Sequence, residues 1–200
     1  GMLDTHVAWL ANQGMNYLST DKNPERLGNQ HPNIVPYQVM PTSDGYIVLS
    51  VGNDPTFERF CKLAGEEKLI NDPKFKTNAD RVSNREFVTS VLNEITKKHT
   101  SEWWLKELEK EKIGCGPINT LSQVFSDPHV KAREMIVNMN HKKTGKSPLK
   151  LIANPIKMRE TPPSYRMPPP LLGEHTDEIL SEKIGLSEAE IKNLKDNEII

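Results

Sequence analysis

A mixed α and β fold, helices packed around a small antiparallel sheet, is what this sequence predicts, on three observations. Residues 37–40 and 46–51 are rich in β-branched and aromatic side chains and flank Pro41-Thr-Ser-Asp-Gly45. In that segment proline fixes one φ and Asp-Gly supplies a residue at positive φ, which is hairpin-turn chemistry. Phe57, Phe60, Cys61 and Ala64, and again Phe87, Val88, Val91, Leu92 and Ile95, recur at the three-and-four spacing of amphipathic helices. Finally, six of the fifteen prolines fall between Pro155 and Pro170, so that stretch runs extended, as neither helix nor internal strand.

Taken in order, the chain opens helically. Leu3, Val7, Leu10 and then Tyr17 or Leu18 recur on one face, so residues 3–18 are expected as one helix with Trp9 and an apolar stripe. Gly1 ahead of Met2 looks like a residue left by tag removal, and a striped helix without an approach suggests a packing partner upstream. The chain therefore reads as the later portion of a longer protein. After a polar break with Pro24 comes a different kind of loop. Gly28, Asn29, Gln30, His31 and Asn33 offer backbone amides and side-chain donors, while Pro32 and Pro36 stiffen the path, so the segment is expected as a shaped polar rim. Residues 46–51 are nearly continuously apolar, which predicts cover on both faces of the second strand.

Asp54 is expected to cap the next helix, with Pro55 at its first position and Gly65 at its end. Cys61 lies on the apolar face of that helix and reads as a buried, inert thiol. Residues 71–84 read as an irregular connection, and a helix follows from Phe87 to Ile95. Thr100 or Ser101 caps another, with Trp104, Leu105 and Leu108 inward and Trp103 partly exposed. Ile113-Gly-Cys-Gly-Pro117 is expected as a tight crossing between elements; it lacks the strand-turn-helix context of a dinucleotide site. Thr120 with Gln123 forms a capping box, and Asp127-Pro128 opens a helix reaching Met135. Residues 135–139 and 149–152 are expected as strands that extend the small sheet. Leu171-Leu-Gly-Glu-His-Thr176 opens a helix stopped at Gly185, and Ser187 with Glu190 caps the last one.

Several function classes are disfavoured. The formal net charge is -1 with both signs interspersed, so no nucleic-acid field is implied, and His141-Lys-Lys-Thr-Gly-Lys146 reads as a solvated turn. Cys61 and Cys115 make neither a disulfide framework nor a zinc spacing, which points to a reducing, cytoplasmic setting. Histidines 6, 31, 99, 129, 141 and 175 form no metal-ligand spacing. No apolar run reaches the ~20 residues that span a bilayer.

The order of the motifs goes further. Arg26-Leu-Gly-Asn-Gln-His-Pro-Asn-Ile-Val-Pro-Tyr37, Thr42-Ser-Asp-Gly-Tyr-Ile47, Val51-Gly-Asn-Asp54 and Asp72-Pro-Lys-Phe-Lys-Thr-Asn78 with Arg81 follow one another. Gly114-Cys-Gly-Pro-Ile118, Asp127-Pro128 and Pro169-Pro-Leu-Leu-Gly-Glu-His-Thr-Asp-Glu-Ile179 complete the series. Together they resemble the class III CoA-transferases, the CaiB/BaiF family, along nearly the whole chain.

The resemblance implies a large Rossmann-like domain, a smaller α/β domain and two interlocked chains. Residues 2–20 would be a linker helix, 21–153 the small domain with its antiparallel sheet, and 154–200 the proline-rich return with C-terminal helices that pack on the large domain. It also implies exchange of CoA between an acyl-CoA and a carboxylic acid through an aspartyl-CoA thioester. CoA enters as substrate, no cofactor is held permanently, and the partners are the acyl-CoA, the acceptor and a second copy of the chain. None of Asp4, Asp21, Asp44 or Asp54 matches the nucleophile motif, so no catalytic residue and no metal ligand is assigned. The expected contribution is a cover over the pocket by Gly28, Asn29, Gln30, His31, Pro32, Asn33, Pro36, Tyr37 and Gln38. The formyl-CoA transferases have a glycine-rich loop where this chain has His31-Pro-Asn-Ile-Val-Pro. The racemases of the family have a glutamate near Gln38, and an amide cannot take a proton as a carboxylate does. A racemase-like enzyme and a non-catalytic interaction module are the competing readings.

Overall fold

Met40, Ile47 and Leu49 alternate with more exposed neighbours along two strands, and the first half of the chain is built over the face they share. In the computed structural model, which describes residues 1–200, those strands are β1 (Tyr37–Pro41) and β2 (Tyr46–Ser50), antiparallel with Val39 opposite Val48. A third strand, β3 (Gly114–Pro117), pairs antiparallel with β2, giving the order β1-β2-β3. Ile113-Gly-Cys-Gly-Pro117, expected from its sequence as a crossing, thus contains a paired strand. Glycine-rich strands carry no local signal, and here the pairing is set by the neighbour, Leu49 opposite Cys115. Cover on both faces of β2 is also corrected: Ile47 and Leu49 are buried, whereas Tyr46 is exposed.

Around the sheet lie α3 (Asp54–Leu63), α4 (Asn78–Ser83), α5 (Arg85–Thr96) and α6 (Ser101–Lys110). Helix α5 packs on β1, and α6 on β2 and β3. The core is aromatic. Phe60 stacks on Trp104, Phe57 on Phe75, and the Trp104 indole donates to the Thr96 carbonyl at 2.7 Å. Trp104 and Leu108 are buried and Trp103 half-buried, as their spacing requires. The cap of α3 is Asn53, whose Oδ1 accepts from the Thr56 amide at 2.9 Å, not Asp54. Asp54 is held instead by an arginine. Residues 71–84 are less irregular than expected, because Thr77 and Asp80 cap α4 reciprocally.

The expected single N-terminal helix is two, α1 (Met2–Ala8) and α2 (Ala11–Thr20), broken where Ala11 takes φ +43°. No glycine or proline marks the break, and the left-handed region costs an alanine about 1 kcal/mol. The apolar stripe is exposed along its length, Leu3, Val7, Trp9, Leu10 and Leu18 included.

The chain divides into two compact units, Gly1–Ile118 and Asn119–Ile200. The second holds α7 (Leu121–Ser126) and α8 (Pro128–Ala132), each capped as read, by Thr120 and Asp127. Helix α8 ends earlier than Met135. Strands β4 (Ile136–Met139) and β5 (Leu149–Ile152) form a two-stranded sheet of their own and do not extend the first one. The proline-rich stretch is extended, and α9 (Thr176–Glu182) and α10 (Glu188–Asp196) close the chain, with Gly185 at φ +82° between them. No helix is long and apolar enough to cross a membrane.

Candidate functional site

The loop from Gly28 to Pro36 lies along the outer edge of β1, and its polar groups supply the partners that edge would otherwise lack. The His31 amide donates to the Tyr37 carbonyl at 2.9 Å, and Asn29 Oδ1 accepts from the Val39 amide at 2.9 Å. Gly28 begins the segment at φ +60°, where a side chain would be strained. The His31 ring then stacks on Tyr37, centroids 5.2 Å apart and planes within 9°. Its Nδ1 accepts from the Asn33 amide at 3.1 Å, which leaves the ring proton of the neutral histidine on Nε2.

The rest of the loop is tied from below by residues that come 43 to 55 positions later. Asn78 grips it twice, Nδ2 donating to the Asn33 carbonyl at 2.8 Å and Oδ1 accepting from the Val35 amide at 3.2 Å. Arg81, fully buried, donates to the carbonyls of Val35 at 2.7 Å and Phe75 at 2.8 Å, and to Asp54 Oδ1 at 2.9 Å, while its guanidinium lies over Phe57. Burial pulls its pKa down and the Asp54 carboxylate opposes that shift. Arg85 donates to the Pro32 carbonyl at 2.6 Å and more loosely to Gln30 Oε1 at 3.4 Å; burial lowers its pKa and no carboxylate pairs with it. From above, Asn16 and Asn33 exchange side-chain hydrogen bonds of 2.8 and 3.0 Å.

Of the nine predicted rim residues, Pro36 and Gln38 are therefore inside. Gln38 is only 5 % exposed, and its Oε1 has no protein partner. Asn29, His31 and Asn33 use their side chains to hold the loop. Tyr37 is the exposed aromatic residue of the segment, and Gly28, Asn29 and Asn33 are exposed with it. Asn12, Asn16 and Arg85 were missed by sequence reasoning. Arg81 and Asn78 figure in the sequence reading only as motif residues. An arginine at a position where α4 must face the core is the one signal that could have found the Arg81 tie.

Elsewhere chemistry is muted. Burial pushes the Cys61 thiol up to about 12, and Cys115, half-buried, is also raised. Asp44 accepts from the Ser101 amide at 2.7 Å and Asp54 from Arg81, so neither is a free carboxylate.

The pattern of CoA-transferase family III matches residues 1–176. A succinate–glutarate CoA-transferase of Agrobacterium fabrum is 40% identical over 181 residues, 90% of this chain and 45% of that protein. The succinyl-CoA:glutarate CoA-transferase of Mus musculus is 36% identical over 193 residues, 96% of this chain and 44% of its own length. Among solved structures, a CaiB/BaiF family protein from Brucella suis superposes with a TM-score of 0.68 at 40% identity, covering 88% of this chain and 44% of that one. The chain thus spans less than half the length of these relatives.

Proposed function

This chain belongs to CoA-transferase family III, and from that premise we propose that it supplies the rim of an enzyme that moves CoA from an acyl-CoA to a carboxylic acid. The nucleophile is an aspartate outside these 200 residues. Its carboxylate attacks the thioester to give an acyl-aspartyl anhydride and CoA thiolate. The thiolate attacks the aspartyl carbonyl, releasing the first acid and leaving an aspartyl-CoA thioester. The acceptor carboxylate then displaces the thiolate to form a second anhydride, and the thiolate attacks the acceptor's acyl carbonyl to give the new acyl-CoA and free aspartate. Water must be kept from the anhydrides throughout. That is the role we assign to the loop from Gly28 to Gln38, with residues 2–20 as linker, 21–153 as small domain and 154–200 as return.

The observation that carries this reading is that the loop matching the family is hydrogen-bonded by three helices, α2, α4 and α5, and leaves Tyr37 exposed. A barrier to water needs such anchoring. The names of the relatives favour a short dicarboxylate as acceptor. Gln38, a buried amide near the position of the glutamate in the family's racemases, favours transfer over racemisation.

The test is exchange of CoA between succinyl-CoA and labelled glutarate by the complete enzyme, with hydroxylamine or borohydride trapping of the enzyme-bound thioester. Exchange with a trapped adduct supports transfer. An adduct-free protein without exchange would leave an interaction module. The 200-residue chain alone is expected to give no turnover.

A further inference from the structure

Helix α2 has two unlike sides. Met15 and Leu18 are exposed apolar residues, 61% and 74% accessible. Asn12 and Asn16 stand one helical turn apart on another face, and both meet the rim loop. Asn16 and Asn33 form a closed amide pair in which each donates once and accepts once, at 2.8 and 3.0 Å. Asn12 lies 3.2 Å from His31 Nε2. The Asn12 atom at that distance is Nδ2, and because the Asn33 backbone amide occupies Nδ1 and leaves the proton on Nε2, the contact is a hydrogen bond only with the Asn12 amide turned to present Oδ1. His31 in turn is stacked on Tyr37.

We propose that Asn12 and Asn16 are positioning residues: they transmit the placement of α2 to His31 and Asn33, and through the His31–Tyr37 stack to the ring that the loop leaves exposed. The functional weight of this rests on the reading of the loop as a substrate rim. The two ends of the loop are held differently. Val35 is fixed by Asn78 and Arg81, and the backbone carbonyls of Asn33 and Pro32 by Asn78 and Arg85, whereas the side chains of His31 and Asn33 answer to α2. Loss of an α2 amide should therefore loosen one end of the loop and leave the other, a signature that general destabilisation does not give.

The experiment is amide hydrogen exchange on the 200-residue chain, with thermal melting as control. In Asn16→Ala and in Asn12→Ala, the amides of His31 and Asn33 are expected to exchange about tenfold faster, while that of Val51, bonded to the Pro36 carbonyl, is unchanged. Asn16→Asp, which keeps an acceptor for Asn33, should recover part of the protection. Adding Asn33→Ala to Asn16→Ala should loosen His31 little further. Unchanged exchange at His31 and Asn33 in both single variants overturns the proposal, as does uniform acceleration that includes Val51. In the complete enzyme, Asn16→Ala should raise KM for the acceptor acid about tenfold at unchanged melting temperature. Should the loop loosen with KM and kcat both intact, the positioning role stands and the substrate-rim reading falls.

Discussion

Arg81 donates from Nε to the carbonyl of Val35 at 2.7 Å, although 46 residues separate them and Arg81 is fully buried. The contact explains how a loop with two prolines keeps one path. The same guanidinium also binds Phe75 and Asp54, so one side chain joins the loop, the segment before α4 and the first turn of α3. Asn78, one turn earlier, holds the neighbouring peptide groups.

Arg81→Met should therefore cost about 3 kcal/mol. It strands two buried carbonyls, and lost partners of this kind cost roughly 1–3 kcal/mol each, partly offset by the apolar side chain. Asp54→Asn should cost about 1 kcal/mol or less, because the Asp54 side chain is 49% accessible and the ion pair is screened on that side. Denaturant unfolding of the two variants gives the comparison; equal losses would mean that the pair, rather than the carbonyls, holds Arg81.

The two thiols should separate cleanly by reactivity. Cys61 is fully buried with its pKa pushed up to about 12, so almost none is thiolate at neutral pH. Cys115 is half-buried in β3, its Sγ 3.8 Å from the Leu105 carbonyl, and raised less by burial. A disulfide-exchange reagent at pH 8 should titrate one thiol per folded chain, slowly, and two after denaturation. Prompt reaction of both in the native protein would contradict the packing of α3.

The hairpin, the long helices from α3 onward and four of the caps, Thr100, Thr120, Asp127 and Ser187, were legible because each is written locally, in turn residues or in three-and-four spacing. The capping box at Ser187 and Glu190 is an example. Strand β3 was not, since Gly114 and Gly116 have no β propensity and are strands only because β2 lies beside them. The pairing of β4 with β5 apart from the first sheet is likewise a tertiary choice. For the loop, Gly28, His31 and the prolines announced a shaped polar segment. Its ties did not show, because a bond from Arg81 to Val35 or from Arg85 to Pro32 leaves no periodicity in the chain. What reads as a row of free donors is mostly a set of internal partners.

His31 should be found as the Nε2–H tautomer. The Asn33 amide can only donate, and it points at Nδ1 from 3.1 Å. Long-range nitrogen–proton correlation of the neutral ring reads the tautomer directly. A protonated Nδ1 would show that the Asn33 amide is turned elsewhere, and with it the placement of the Asn33 side chain on Asn16.

Acid should weaken the junction between the hairpin and α6 through Asp44. The Ser101 backbone amide, donating at 2.7 Å, is the largest cause that holds this carboxyl below the usual aspartate range; desolvation, the next in size, opposes it, and the hydroxyls of Ser101 and Thr42 add smaller lowering effects. A group whose pKa is lower folded than unfolded stabilises the fold above its unfolded value, and that stabilisation is lost as pH falls through the folded value. The window is thus the acidic side of ordinary aspartate titration, and neutral pH is unaffected. Asp44→Asn keeps an acceptor for Ser101 but removes the proton-linked charge, so its stability should fall less steeply over that window than that of the parent. Unfolding midpoints measured from neutral pH down to about pH 3 check this. Parallel curves would assign the acid sensitivity to other lowered carboxylates, of which Glu66, bridged to Lys98 and Lys68, is the next to replace.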